Sequence, residues 1–567
     1  MFTPATADQR FVLETIVRLD EISAEAAEMT DAVLEGAGQF AAGEWAPLER
    51  LGDTDGPKWT PDGVKMPAGF AEAYQAYVEG GWGTIGSPAE HGGQGLPVSL
   101  SIAVLETLGT ANMGFALAPI LTVGAVEALM HHGTPEQQAL YLPHLSTGAW
   151  TGTMNLTESQ AGSDVGALKT RAEPVGDGTF RIKGTKIFIS FGDHDMAENI
   201  VHLVLARTPG APAGTKGISL FLVPKYRLNA DGTPGDFNDV RTVSIEHKMG
   251  LHASPTCVLS FGDKDDCIGE LVGPELGGIR AMFTMMNNAR LNVGLQGVQV
   301  AEAATQRAVA YARERIQSAR AGSASREPVA IIEHPDVRRM LLRMKAQTQA
   351  ARALVYYAMS MVDRAGLGDE KARNRLELLT PLAKAHATDL GNEVASLGVQ
   401  VHGGMGYIEE TGAAQHFRDA RITPIYEGTN GIQAADLVGR KLSMDNGGTL
   451  FVLLEDMREA AEGEHLLRLI EDCDEVARHL LSAETDDRLA ASYPFLTMLS
   501  VAVSGWLMEA QGRIAARGEG DPTFLGMKKA AARFYCEQIV PEALGLKAAA
   551  LTSAEVLYAI DPEAFAA

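Results

Sequence analysis

The chain has 567 residues, more than one ordinary hydrophobic core holds, so length alone implies about three or four domains. Apolar residues make up 46% and charged residues 21%, and 48 basic against 72 acidic side chains leave a formal charge of -24. That field disfavours nucleic acid and anionic membrane surfaces as partners, while a local nest of N–H groups can still hold a phosphorylated ligand. The four cysteines, Cys257, Cys267, Cys473 and Cys536, form no CxxC pair and no zinc spacing, and are expected to be reduced and mostly buried. No basic-then-apolar leader pattern opens the sequence and no apolar run reaches about 18 residues, so the expected location is the cytoplasm.

Residues 1–150 read mostly as helices. Residues 11–29 carry Leu13, Ile16 and Val17 at helical spacing, and residues 101–132 form a long apolar stretch. Thr134-Pro135-Glu136 opens a further helix, with a capping hydroxyl, a proline in the first turn and an early acid. From 151 to 275 short β-prone runs alternate with Gly, Pro, Asp and Asn. Residues 175–179 read as a turn and 180–183 as the strand after it. Residues 199–206, 217–223 and 256–261 are further strands, and this spacing predicts a small barrel or sandwich. Residues 225–245, with Asn229, Asp231, Gly232, Pro234 and Gly235, read as a long surface loop.

Helical spacing returns at about 276 and runs through Val298, Ala301, Thr305, Ala308, Ala312 and Ile316. Residues 319–329 read as a loop, 335–364 and 371–397 as long helices, and 441–567 as mostly helical with breaks at Pro541 and Pro562. The fold class is therefore α+β with segregated domains: an N-terminal helical domain (1–150), a middle β-barrel domain (151–275), a C-terminal helical bundle (276–440) and an extra C-terminal helical extension (441–567).

Gly81-Trp82-Gly83-Thr84-Ile85-Gly86 matches the dinucleotide-binding spacing GxGxxG. It follows a predicted helix rather than a strand, and Pro88 interrupts what comes next, so it reads as a glycine-rich turn. No GxxxxGK[ST] occurs, and His131, His132 and His402 lack partners at metal-ligand spacing, so no metal site is predicted. The segment Met154-Asn155-Leu156-Thr157-Glu158-Ser159-Gln160-Ala161-Gly162-Ser163-Asp164 joins the first helical region to the strands. Small and hydroxyl residues in such a turn can offer N–H groups and Oγ atoms to an anion or a ring edge.

This segment resembles the flavin-binding stretch of the acyl-CoA dehydrogenase family. Lys186-Ile187-Phe188-Ile189-Ser190, Gln400-Val401-His402-Gly403-Gly404-Met405-Gly406-Tyr407 and Tyr426-Glu427-Gly428-Thr429-Asn430 resemble its later motifs, in family order. The resemblance covers about 80–440. The extra length, the 225–245 segment and the helical tail are similar to the long bacterial branch of that family.

The resemblance implies FAD as cofactor and an acyl-CoA as substrate. Glu427 would remove the α-proton while a hydride leaves the β-carbon for the flavin. The thioester oxygen would accept hydrogen bonds from the Glu427 N–H and a ribityl hydroxyl. Such chemistry needs a positioned base whose pKa burial has raised, and a site for the developing enolate oxygen. Met154, Leu156, Thr157, Gly162, Ser163, Phe188, Ile189 and Ser190 correspond to cofactor contacts. So do Thr429 and Asn430, and Arg315, Gln400, Gly403 and Gly404, with Arg315 reaching the pyrophosphate in a neighbouring subunit. Ser163, Asn287, Arg290 and Gly428 correspond to contacts with the CoA ester; Gly428 lets the backbone pass close to a ligand. Met154, Ser159, Phe188, Asn287 and Pro335 depart from the commonest family residues, which puts the contacts at Asn287 and Pro335 in doubt.

The resemblance further implies a homodimer that passes electrons to an electron-transfer flavoprotein. It leaves the thioester open between 3-(methylthio)propanoyl-CoA and straight-chain acyl-CoA. An oxidase or flavin monooxygenase on the same scaffold, or a non-catalytic CoA-ester-binding paralogue, are the alternatives; Glu427 argues against the last.

Overall fold

The computed structural model describes residues 2–518 and 520–567; Met1 and Glu519 lie outside the described residues. The chain divides into two compact units, one formed by 1–34 with 290–567 and the other by 35–289.

The 35–289 unit places helices before a curled sheet of eight strands. The sheet runs in the order Val240–Ile245, Thr256–Phe261, Thr179–Ser190, Ile268–Val272, Ser219–Pro224, Asn199–Ala206, Trp150–Asn155, with Arg171–Pro174 also paired to Thr179–Ser190. Trp150–Asn155 pairs in parallel with Asn199–Ala206, and the other pairings are antiparallel. The barrel expected here thus takes the form of a curled sheet whose path has two ends. Both faces are covered. Val201, Leu203 and Leu205 pack with Ala125, Leu129 and Tyr141, while Val204, Phe221, Val223 and Ile182 pack with Leu259 and Phe261. Alternate residues of one strand supply the two layers, as a two-residue period requires.

Several local readings hold. Thr134 and Gln137 form a complete capping box: the Gln137 N–H donates to Thr134 Oγ1 at 3.2 Å and the Thr134 N–H to Gln137 Oε1 at 3.0 Å. The turn at 175–179 closes with the Val175 N–H donating to the Thr179 carbonyl at 3.0 Å. The glycine-rich segment follows the helix Phe70–Glu79 and forms a single 3₁₀ turn, Trp82–Thr84. A Cβ on Gly83 would lie 2.9 Å from the Tyr77 hydroxyl, so packing accounts for that glycine.

Others need correction. Residues 225–245 are not a loop: Tyr226–Leu228 and Pro234–Phe237 form a hairpin, and Val240–Ile245 pairs with Thr256–Phe261. The turn residues Asn229, Asp231 and Gly232 dominate the local reading, while the pairing that makes strands of their flanks is non-local. The expected helix at 11–29 is interrupted at Arg18, which is left-handed (φ 54°), and at Ser23, whose Oγ caps the next helix through the Ala26 N–H at 3.2 Å. The apolar stretch at 101–132 is two helices, Val98–Ala111 and Met113–His132, parted at Asn112, whose side chain accepts from the Phe115 N–H. By length and composition Met113–His132 could cross a membrane, contrary to expectation, but it is mostly buried within the protein. All four cysteines are free thiols, three of them buried.

In the unit formed by 1–34 with 290–567 three long helices, Gly278–Glu314 (whose first residues belong to the 35–289 unit), Pro335–Gly366 and Glu370–His402, are joined by helices of the extension, chiefly Ser492–Ala515 and Pro522–Phe534. A buried ionic cluster ties them together. Lys528 Nζ donates to Asp8 Oδ1 at 2.9 Å and to Gln511 Oε1 at 2.6 Å, and Arg352 Nη2 donates to Glu302 Oε2 at 2.9 Å. Burial alone would raise the Asp8 carboxyl, but the charges of Lys528, Arg352 and Lys345 outweigh it and hold the group well below the usual carboxylate range. Removing one member leaves a charge without its partner in a dry site. Lys528→Met is therefore expected to destabilise the protein by about 3–5 kcal/mol. The double substitution Asp8→Leu/Lys528→Met should cost less than the two single changes together. Urea midpoints at constant slope measure both.

Candidate active site

Glu427 lies in the connection between the helices Ala413–Ala420 and Asn430–Asp436. Three contacts hold this connection. Asn392 Nδ2 donates to the Ala420 carbonyl at 2.9 Å, the Tyr426 hydroxyl donates to Gln296 Oε1, and the Asn430 N–H donates to the Pro424 carbonyl at 2.9 Å. Thr429 caps the helix that follows, its Oγ1 accepting from the Ile432 N–H at 3.1 Å. Two successive residues are left-handed, Glu427 at φ 55° and Gly428 at φ 79°. For glutamate this conformation costs on the order of 1–2 kcal/mol, so the surrounding contacts must over-determine it. At Gly428 a Cβ would also lie 2.8 Å from Gln433 Nε2.

The electrostatics around Glu427 oppose one another. Burial outweighs the charges of Arg290 and Lys384, which pull the other way, and the carboxyl is raised from 4.5 to about 7. Lys384 is fully buried, and burial lowers its ammonium to about 8 against the attraction of Glu427 and Asp389. A carboxylate balanced near neutrality can hold or release a proton at little cost, as a general base must. Arg290, expected at the CoA ester, is 6% exposed, and its Nη1 lies 4.0 Å from Asp436 Oδ2. It faces the Glu427 charge from the Gly278–Glu314 helix.

The Asn430 side chain is buried and turned inward. Its Oδ1 accepts from Lys384 Nζ at 2.9 Å, and its Nδ2 donates to the Ala385 carbonyl, to Thr388 Oγ1 and to Asp389 Oδ1 at 3.0, 2.9 and 2.8 Å. That amide serves the protein's own interior. Lys384, Asp389 and Gln296 were not singled out from the sequence. A lone lysine within Pro381-Leu382-Ala383-Lys384-Ala385 is the kind of buried cation that could have been noticed.

Arg315, Gln400, Gly403 and Gly404 belong to the same unit and are exposed. Gln400 stands sixteen residues beyond Lys384 on the helix Glu370–His402, about 24 Å along its axis. These residues therefore form a second locus, distinct from the one around Glu427. There Tyr311 and His402 stack with ring centroids 4.4 Å apart.

In the 35–289 unit the Met154–Asp164 segment is framed by a buried ion pair. Lys186 Nζ donates to Glu158 Oε1 at 2.9 Å and to the Leu156 carbonyl at 3.1 Å, and Glu158 also accepts from the Lys169 and Thr170 N–H groups. The Ile187 N–H donates to the Thr157 carbonyl at 3.0 Å, which sets the two expected motifs side by side. Gly162 and Ser163 are exposed, Met154, Leu156, Thr157 and Ser190 partly so, and the Phe188 ring is 58% exposed on a strained backbone with φ 60°. A rigid polar loop beside a presented aromatic ring suits the edge of a planar heterocycle. The Ile189 side chain lies in the sheet core with Cys257 and Val204, because it points to the opposite face from Phe188. Asn287 lies partly buried near the start of the Gly278–Glu314 helix. Among the described residues no group of three or more His, Cys, Asp or Glu side chains is disposed to hold a metal ion.

Family models match nearly the whole chain: acyl-CoA dehydrogenase N-terminal domain over 27–149, middle domain over 153–264 and C-terminal domain over 277–442, then acetyl-CoA dehydrogenase C-terminal like over 450–561. A 3-methylmercaptopropionyl-CoA dehydrogenase of Ruegeria pomeroyi is 47% identical over 535 residues, covering 90% of each chain. A butyryl-CoA dehydrogenase of Syntrophomonas wolfei is 37% identical over 516 residues, covering 85% of this chain and 84% of the relative. An acyl-CoA dehydrogenase complexed with FAD from Bacillus anthracis superposes with a TM-score of 0.72 at 23% identity, over 94% of this chain and 88% of that one. The chain belongs to the acyl-CoA dehydrogenase family.

Proposed function

We propose that this chain oxidises an acyl-CoA thioester to the trans-2-enoyl-CoA, with FAD as cofactor and Glu427 as the base. The observation that carries the proposal is the Glu427 carboxyl itself, held in a left-handed turn and raised by burial to about 7 despite two cations facing it. When bound, FAD supplies the acceptor for the hydride that leaves the β-carbon. Glu427 takes the α-proton, so that one C–H bond gives its electron pair to the new double bond and the other departs as hydride. The Glu427 N–H, in a turn that Gly428 keeps narrow, donates to the thioester oxygen as negative charge grows there. Arg290 and Lys384 keep the base ionisable once substrate excludes water. Met154, Leu156, Thr157, Gly162 and Ser163 hold the cofactor through backbone and hydroxyl groups, Phe188 and Ser190 flank it, and Ser163 and Asn287 also serve the CoA ester.

Arg315, Gln400, Gly403 and Gly404, a locus removed from Glu427 along one helix, fit contacts to the cofactor of a second subunit in a homodimer. The guanidinium suits a pyrophosphate because its planar fork donates two parallel hydrogen bonds. The four segments 1–150, 151–275, 276–440 and 441–567 serve as the functional divisions, and reduced buried thiols fit a cytoplasmic enzyme. The Ruegeria pomeroyi relative makes 3-(methylthio)propanoyl-CoA the first candidate substrate, and an electron-transfer flavoprotein is the proposed acceptor.

Glu427→Gln should keep FAD bound yet slow anaerobic bleaching of the flavin by acyl-CoA by about 10³-fold or more; bleaching at the original rate would remove Glu427 from its role. For the unaltered enzyme, kcat/KM should rise with pH through about 7 as the carboxyl loses its proton. Because the native carboxyl keeps its proton up to about 7 and the unfolded one only to about 4.5, this group's contribution to stability falls as pH rises between those values. Across a panel of thioesters, 3-(methylthio)propanoyl-CoA should give a higher kcat/KM than straight chains of increasing length. Rapid peroxide formation in air without another acceptor would reassign the chain as an oxidase.

A further inference from the structure

A hydrogen-bonded chain runs from the surface of the C-terminal extension to the segment that carries Glu427. It begins at Tyr493, at the start of the extension helix Ser492–Ala515, which is 38% exposed. Its hydroxyl donates to Asp389 Oδ2 at 2.6 Å. The other oxygen of Asp389 accepts from Asn430 Nδ2 at 2.8 Å. Asn430 Oδ1 in turn accepts from Lys384 Nζ at 2.9 Å and from Thr388 Oγ1 at 3.3 Å. Asn430 and Lys384 are buried, and Asn430 is three residues from Glu427, at the first turn of the helix that Thr429 caps. Each amide and carboxylate in the chain thus has a directional partner on both sides, and the arrangement admits no alternative orientation of Asn430 that keeps Lys384 bound.

We propose that Tyr493, Asp389 and Lys384 are positioning residues for the base: the extension, through this chain, fixes the Glu427 segment from behind and holds the Lys384 ammonium on Asn430, three residues from the base. The inference rests on Glu427 being the base. Glu427 is faced by Arg290 from the Gly278–Glu314 helix, by Lys384 from the Glu370–His402 helix, and by its neighbour Tyr426. Behind these, Asp436 and Arg440 face Arg290, and Arg421 faces Asp389. Tyr493 remains a neutral donor, because burial and the adjacent Asp389 charge both raise its hydroxyl. The chain therefore transmits position, while the one charge it delivers to Glu427 is that of Lys384. An extension that served only to cover the bundle would need an apolar face alone, and would gain nothing from a tyrosine hydroxyl bonded to a carboxylate two steps from the base segment.

The test uses the FAD-loaded full-length enzyme and reads pH profiles together with kcat and KM. Lys384→Met removes a cation from the base, so the acid limb of kcat/KM should move up by about one pH unit or more. Activity should then be lost severalfold at pH 7 and largely regained at pH 9. Lys384→Arg should restore part of the original limb. Tyr493→Phe deletes one partly exposed hydroxyl and should fold normally; it is expected to lower kcat by about 3–10-fold with KM nearly unchanged, since a small misplacement of a base is felt in the chemical step. In the double variant the loss should be smaller than the product of the two single losses. An acid limb unmoved in Lys384→Met, or independent effects in the double variant, would overturn the proposal. Glu427→Gln serves as the control. Full bleaching in that variant means the assignment of the base has failed; its loss, together with unchanged profiles in the other variants, means that only the chain from Tyr493 has failed.

Discussion

The arrangement around Glu427 answers a conflict between solvation and reactivity. A carboxylate in water is ionised but too weak a base to remove a proton next to a thioester, and a carboxylate with no partner in a dry site keeps its own proton. Here burial drives the group one way, and Arg290 and Lys384 drive it the other without forming a close ion pair with it. Neither cation is free to move. Arg290 is buried opposite Asp436, and Lys384 is tied to Asn430. The rest of the unit can be read as the framework that holds two buried positive charges around one partly buried acid.

Each unit also holds one strained residue of interest. Glu427 and Phe188 are both non-glycine residues with left-handed backbones, and both sit in segments that the resemblance ties to chemistry. Each is held by neighbours that have no alternative geometry: Tyr426, Thr429 and Asn430 around the first, and the Lys186–Glu158 pair with the Ile187–Thr157 bond before the second. Backbone strain of this kind persists only where surrounding contacts outweigh it.

Much of this was legible in the sequence because it is local. The helix start at Thr134, the strands at 199–206 and 256–261 and the turn at 175–179 all rest on residues within a few positions of one another. The order of the motifs around Met154, Phe188, Gln400 and Glu427 was legible for a different reason, since resemblance carries information that spacing does not. What escaped is non-local. The strands within 225–245 exist because distant partners satisfy their backbone groups, and Asn430 turned inward because Lys384 and Asp389 lie on another helix. Ile189 was grouped with Phe188 by resemblance, and the opposite facing of their side chains follows from the two-residue period of the strand.

The extension belongs to the same argument. A tail added only to enlarge a bundle would bury apolar side chains, and this one does, through Phe524, Leu525 and Ala515 against Phe11. It also brings Lys528 to Asp8 in the interior and Tyr493 to Asp389 nearer the surface. Buried or half-buried polar contacts of this sort add little net stability compared with apolar packing of the same volume, but they tolerate only one register. Their presence on both of the extension's central helices means that the tail is seated in a single orientation. The helix Glu370–His402 that it seats against is the one carrying Lys384, so whatever fixes the tail also fixes a charge that the base feels.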